Sequence, residues 1–162
     1  LIGLLILGSL TPCTQAAPQP ESAKAYTQGI SHMRNNDPAK AREAFSQALL
    51  DEDTTLQAAA LYQLGQVNAT RTFSELRALY SPSAEESEGL AEDSPAAPQV
   101  TPEALQKIVD SLKQDIQPYR DALKLQPTLA RAQKNITGIE ALIKKLEEEI
   151  ERLKQQQQQQ VL

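Results

Sequence analysis

The chain has 162 residues, of which 40% are hydrophobic but only 4% aromatic, with no Trp, and it carries a formal net charge of −5. That length suits one domain with short appendages, and the abundance of Ala, Leu, Gln and Glu favours helices. No sustained apolar/polar alternation rich in Val, Ile and Thr argues for strands, and the acidic balance argues against nucleic acid as a partner.

The first ten residues, "LIGLLILGSL", form an apolar run too short to span a bilayer. They are followed by "TPCTQAAPQP", which sets the small residues Thr14 and Ala16 where a signal peptidase needs them. Residues 1–17 therefore read as a secretory signal whose basic start lies ahead of Leu1, with an N-terminal anchor or a buried segment as the plainer alternative. The resulting expectation is a protein exported across an inner membrane to the periplasm. Cys13 is the only cysteine. "SLTPC" leaves open a lipid anchor through Cys13, against which Pro12 stands, since the residue before a lipidated cysteine is normally small.

Residues 18–21 read as a linker. The stretch that follows predicts two helices, over about 22–34 and 38–50, with "NNDP" as the turn: Asp37 caps the second and Pro38 occupies its first turn, where no N–H is needed. A longer helical segment is expected over 54–80, capped by Thr54 or Thr55 and burying Leu61, Leu64, Phe73 and Leu76. Residues 81–101 are expected to be a disordered acidic insert. Glu85, Glu86, Glu88, Glu92 and Asp93 stand there without a basic residue and account for the whole net charge, leaving 16 acidic and 16 basic residues elsewhere.

Helix resumes at Thr101, a cap, and Pro102, with Pro118 placed to kink or split it near Gln117. Residues 102–127 close at Pro127. The last helix is expected over about 128–154. There Leu129, Ala132, Ile136, Ile139, Ile143, Leu146, Ile150 and Leu153 recur at alternating three- and four-residue steps, the a/d seam of a coiled coil. Residues 155–162 read as a solvated Gln-rich tail.

Gly29, Ala41, Phe45 and Ala48 in the first helix pair, Leu61, Leu64 and Gly65 in the next segment, and Tyr119, Ala122 and Pro127 at its close follow one pattern. This pattern resembles the tetratricopeptide repeat, and the resemblance covers about two thirds of the chain. It implies an all-α fold of about two helical hairpins, the second interrupted by the acidic insert, with a long C-terminal capping or coiled-coil helix. Two departures stand out: Asp53 where proline is usual, and Asp115 at a normally small site. "ALKLQPTLARAQKNI", with the charged helix and Gln tail after it, is also similar to small secreted tetratricopeptide proteins encoded beside bacterial von Willebrand factor A-domain membrane proteins in aerotolerance-type clusters.

Chemistry is poorly represented. His32 is the only histidine, no Gly-rich phosphate loop exists, and the carboxylates around residues 147–151 flank an apolar seam. No enzyme, cofactor, metal site or small-molecule substrate is expected. The resemblance instead implies a concave groove for a peptide or helix of a protein partner, with a membrane-anchored envelope protein as one candidate. Its residues would be Tyr26, Ile30, Met33 and Arg34 from the first pair and Tyr62, Gln66 and Ala69 from the second, with ordinary packing as the plain alternative for the two tyrosines. A competing reading makes the chain an oligomeric scaffold or homodimer through the seam Ile143, Leu146, Ile150 and Leu153: Leu129 to about Ile143 cap the second pair, and Leu146, Ile150 and Leu153 project beyond the domain to pair with another copy.

Overall fold

A computed structural model describes residues 20–81 and 100–160. The signal-peptide and Cys13 readings, and nearly all of the acidic insert, lie outside these residues. Within them the chain is all-α: α1 (Glu21–Arg34), α2 (Pro38–Ala48), α3 (Thr54–Tyr80), α4 (Pro102–Leu125) and α5 (Ala130–Gln160) pack against one another.

Local chemistry sets the helix ends. At the end of α1, Asn36 takes a left-handed conformation (φ 56°). Its N–H donates to the Met33 carbonyl at 3.1 Å, and the Asp37 N–H reaches back to the His32 carbonyl at 2.9 Å. This is a Schellman closure with Asn in the place more often taken by Gly. Asp37 then starts α2 by accepting the Lys40 N–H at 3.2 Å, with Pro38 in the first turn as expected.

The α2–α3 corner differs from expectation. Helix α2 ends at Ala48, leaving Leu50 84% exposed. Asp53, not Thr54 or Thr55, caps α3 by accepting the Thr55 N–H at 2.8 Å. The corner is tied further by Gln57, whose Nε2 donates to the Asp51 carbonyl at 2.5 Å, and by the Ser22 hydroxyl, which donates to the Asp51 carboxylate. That hydroxyl is the main reason the Asp51 carboxyl is held below its ordinary range.

Thr101 caps α4 through the Ala104 N–H at 3.1 Å. Of the expected kink or split at Pro118, the split does not occur: α4 continues as one helix through it. The carbonyl that loses its partner belongs to Gln114, an exposed residue where water can serve instead. Helix α5 runs past the anticipated end into the glutamines as far as Gln160.

The two hairpins α1/α2 and α3/α4 share one internal geometry. In the first, a Cβ placed on Gly29 would fall 2.5 Å from Phe45 Cε1; in the second, a Cβ on Gly65 would fall 2.7 Å from Tyr119 Cζ. Tyr26 stands at 5.6 Å and 58° to Phe45, and Tyr62 at 5.7 Å and 64° to Tyr119. Each glycine lets an aromatic ring from the partner helix approach its backbone, and each tyrosine tilts against that ring.

The hairpins differ in length. At 1.5 Å per residue α2 is about 16 Å long and α3 about 40 Å. The far end of α3, with Leu76 and Leu79, therefore overhangs the first hairpin and packs with Leu105, Ile108, Val109 and Leu112 of α4. Helix α5 supplies the third side of this overhang through Ile143, Leu146 and Ile150, all buried, and through half-buried Leu153. The seam thus does not project beyond the domain: its partners are the chain's own α4 and α3.

Candidate functional site

Helix α3 buries small side chains, among them Ala58, Ala60, Gly65, Val67, Ala69 and Thr72, because α2 and α4 approach it closely. Its larger residues are displaced toward solvent. Leu61, Leu64 and Leu76 are half-buried, and Phe73, expected in the core, is 42% exposed. A depression of about 390 Å³ opens beside it. Gln66, Ala69, Thr70 and Phe73 of α3 form one wall, Lys134, Asn135 and Gly138 of α5 the other, and Tyr119 and Ile139 contribute to the lining.

A second depression of about 300 Å³ lies on the other flank of α3, where Met33, Asn36 and Pro38 face Val67, Thr70, Arg71 and Ser74. Thr70, exposed on α3 between them, lines both. Volumes of this size sit at the lower end of small-ligand pockets.

Of the expected groove residues, Met33, Gln66 and Ala69 line these depressions. Tyr26 and Tyr62 are half-buried, and their rings pack on Phe45 and Tyr119, which is the plain packing alternative. Ile30 packs against the Phe45 cluster and Arg34 is exposed. Phe73, Thr70, Asn135 and Gly138 were not anticipated. Reading "LARAQKNITG" as another groove-forming helix, and extending the stripe Gln66–Thr70–Phe73 along α3, would have pointed to them.

The polar groups around the site are matched. Gln66 Nε2 donates to Tyr62 Oη at 2.7 Å. Burial pushes the Tyr119 phenol up to about 12, against the opposing effect of a hydrogen bond with Asn135. Beneath α3, Thr72 Oγ1 donates to Asp115 Oδ2 at 2.6 Å, both residues being buried. Burial raises the Asp115 carboxyl above its ordinary value, with the Thr72 hydrogen bond and nearby Arg71 and Arg42 opposing the rise. Asp115 occupies the place in α4 that Ala41 occupies in α2, so the normally small site here holds an acid with a hydroxyl partner.

Outside the core edge, Lys113 pairs with Glu147 at 2.8 Å and Arg120 with Glu140 at 3.0 Å, clamping α4 to α5. Arg42 donates to Asn68 at 2.6 Å between α2 and α3. His32 is half-buried in the last turn of α1. Among the described residues no group of three or more His, Cys, Asp or Glu side chains is placed to hold a metal ion, and no helix is long and apolar enough to cross a membrane.

No family model, curated protein or solved structure matches the chain.

Proposed function

We propose that this chain is a non-enzymatic adaptor of tetratricopeptide-like construction, binding a peptide or helical segment of a protein partner across α1, α3 and α5. The observation that carries this reading is the pair of depressions that share Thr70, with Phe73 exposed on one rim and Met33 in the other hollow. The repeated Gly29–Phe45 and Gly65–Tyr119 contacts support it. They give the two hairpins the same internal construction, which supports a tetratricopeptide-like reading. Depressions of this kind suit the helix-in-groove or extended-segment mode of recognition, where apolar anchors enter pockets and amide groups set register.

The signal-like sequence of residues 1–17 supports, in this reading, a bacterial periplasmic location and a membrane-anchored envelope protein as the partner. The competing scaffold reading would need Ile143, Leu146 and Ile150 for another copy, and these already serve the core.

The test is capture from the native envelope with wild-type protein and with Phe73→Ser/Met33→Ser, after circular dichroism confirms that the variant is folded. The adaptor reading expects one partner to be enriched by the wild type and lost by the variant. Retention of the same partners by the folded variant sinks it.

A further inference from the structure

A third glycine stands inside a described helix, and unlike Gly29 and Gly65 it has no internal purpose. Cβ atoms on those two would run into aromatic rings, whereas a Cβ on Gly138 would meet nothing within 4 Å. A glycine inside a helix is less favourable than alanine, so α5 carries a weakness that its own packing does not require. Gly138 lies on the wall of the 390 Å³ depression, beside Lys134 and across from exposed Phe73. Its missing side chain leaves the α5 backbone open to close approach at the depression.

Lys134 lines the depression, Arg131 precedes it by one turn on the same stripe of α5, and Arg77 follows Phe73 by one turn on α3. None of the three forms an ion pair among the described residues. Among the described residues Glu140 pairs with Arg120 and Glu147 with Lys113, both toward α4, and Glu75 with Arg71 at 3.6 Å. The hollow thus has one cation, Lys134, in its lining and two more a turn further along its helices, none of them in an ion pair among the described residues, on a chain that is acidic overall.

We propose that the α3–α5 depression takes an acidic segment of another protein. A Leu, Ile or Phe of that segment would lie over Gly138 against Phe73, and its flanking Asp or Glu residues would face Lys134, Arg131 and Arg77. This assignment rests on the adaptor reading and narrows it to a partner class. Rim charges of this kind set association rate and partner choice more than total affinity.

The test is selection of a random-sequence peptide library on the full chain, followed by titration of the selected, fluorescein-labelled peptides. The expected peptides carry acids flanking one large apolar residue and weaken as salt rises. Gly138→Leu should weaken them tenfold or more, and Lys134→Glu severalfold. Gly138→Ala should weaken them while raising the thermal midpoint by about 2–4 °C, a combination that damage to the fold does not produce. Selected peptides that are neutral or basic, or that ignore Gly138→Leu, overturn the assignment while leaving the adaptor reading standing if Phe73→Ser/Met33→Ser still abolishes binding. Peptides indifferent to that pair as well, or no peptides, remove both. Tighter binding after deletion of residues 82–99 would make the chain's own acidic stretch the occupant, and self-association lost in Gly138→Leu would make it a second copy; either result overturns the assignment to a partner.

Discussion

The ring of Tyr119 fills the space that a side chain on Gly65 would need: a Cβ there would lie 2.7–2.8 Å from three of its ring atoms. Because Tyr119 is almost wholly buried, the ring has little room to retreat. Gly65→Ala is therefore expected to destabilise the protein by about 1–3 kcal/mol, the range for overpacking, despite alanine's better helix propensity. Gly29→Ala should do the same through Phe45. Urea denaturation of the two variants beside Gly138→Ala, expected to stabilise, checks this; equal effects at all three glycines would contradict it.

Replacement of Asp115 by Asn should stabilise the protein at neutral pH. Burial raises the Asp115 carboxyl, so the folded state holds its proton more tightly than the unfolded chain does. Stability from this group is fully present below the unfolded value and is lost as pH rises through the raised folded value. Asn keeps a partner for the Thr72 hydroxyl without the charge. Denaturation as a function of pH should show the wild type losing stability relative to Asp115→Asn as pH rises above the ordinary Asp range. A difference that stays constant across pH would exclude burial of the carboxylate as its cause.

The seam residues should behave as core, not as an interface. Ile150→Ala and Leu146→Ala are each expected to cost about 2–5 kcal/mol, with no change in mass by light scattering. Truncation after Lys144 should remove more helical circular dichroism than the deleted residues account for, since Leu76, Leu79, Leu105 and Ile108 lose their cover. A fall in mass with full helicity of the remainder would restore the scaffold reading.

At the start of α3 the cap is Asp53. Asp53→Ala should cost about 1 kcal/mol, whereas Thr54→Ala should fall within the small changes usual for exposed positions. Thermal unfolding of both variants decides which residue closes the helix.

Much of this architecture was legible from residue types with strong local consequences. Pro38 and Pro102, each after a capping residue, marked helix starts; "NNDP" marked a turn; Gly29 and Gly65 marked close approaches, though the rings they admit emerge only from the fold. What escaped had a tertiary cause. The heptad pattern of α5 says that one face is buried but not against what, and the overhang that covers it arises from two helices separated by residues 82–99. Phe73 looked like core because large apolar residues usually are. Close approach of α2 and α4 instead assigned the inward face of α3 to Ala, Gly, Val and Thr. Tyr26 and Tyr62 were legible as aromatic positions of a repeat, but pattern alone could not separate a ring lining a groove from one tilted onto its neighbour.

The contacts joining α3 to α4, Gly65 with Tyr119 and Thr72 with Asp115, are formed by side chains well inside both helices, not by the connection between them. These described contacts are made without residues 82–99, so they can form between separate chains. Two polypeptides ending and beginning within 82–99 carry complementary halves of a single core, and their mixture should reassemble α3 with α4 and α5 at sufficient concentration, making the site a natural place for a split-protein junction or an inserted domain.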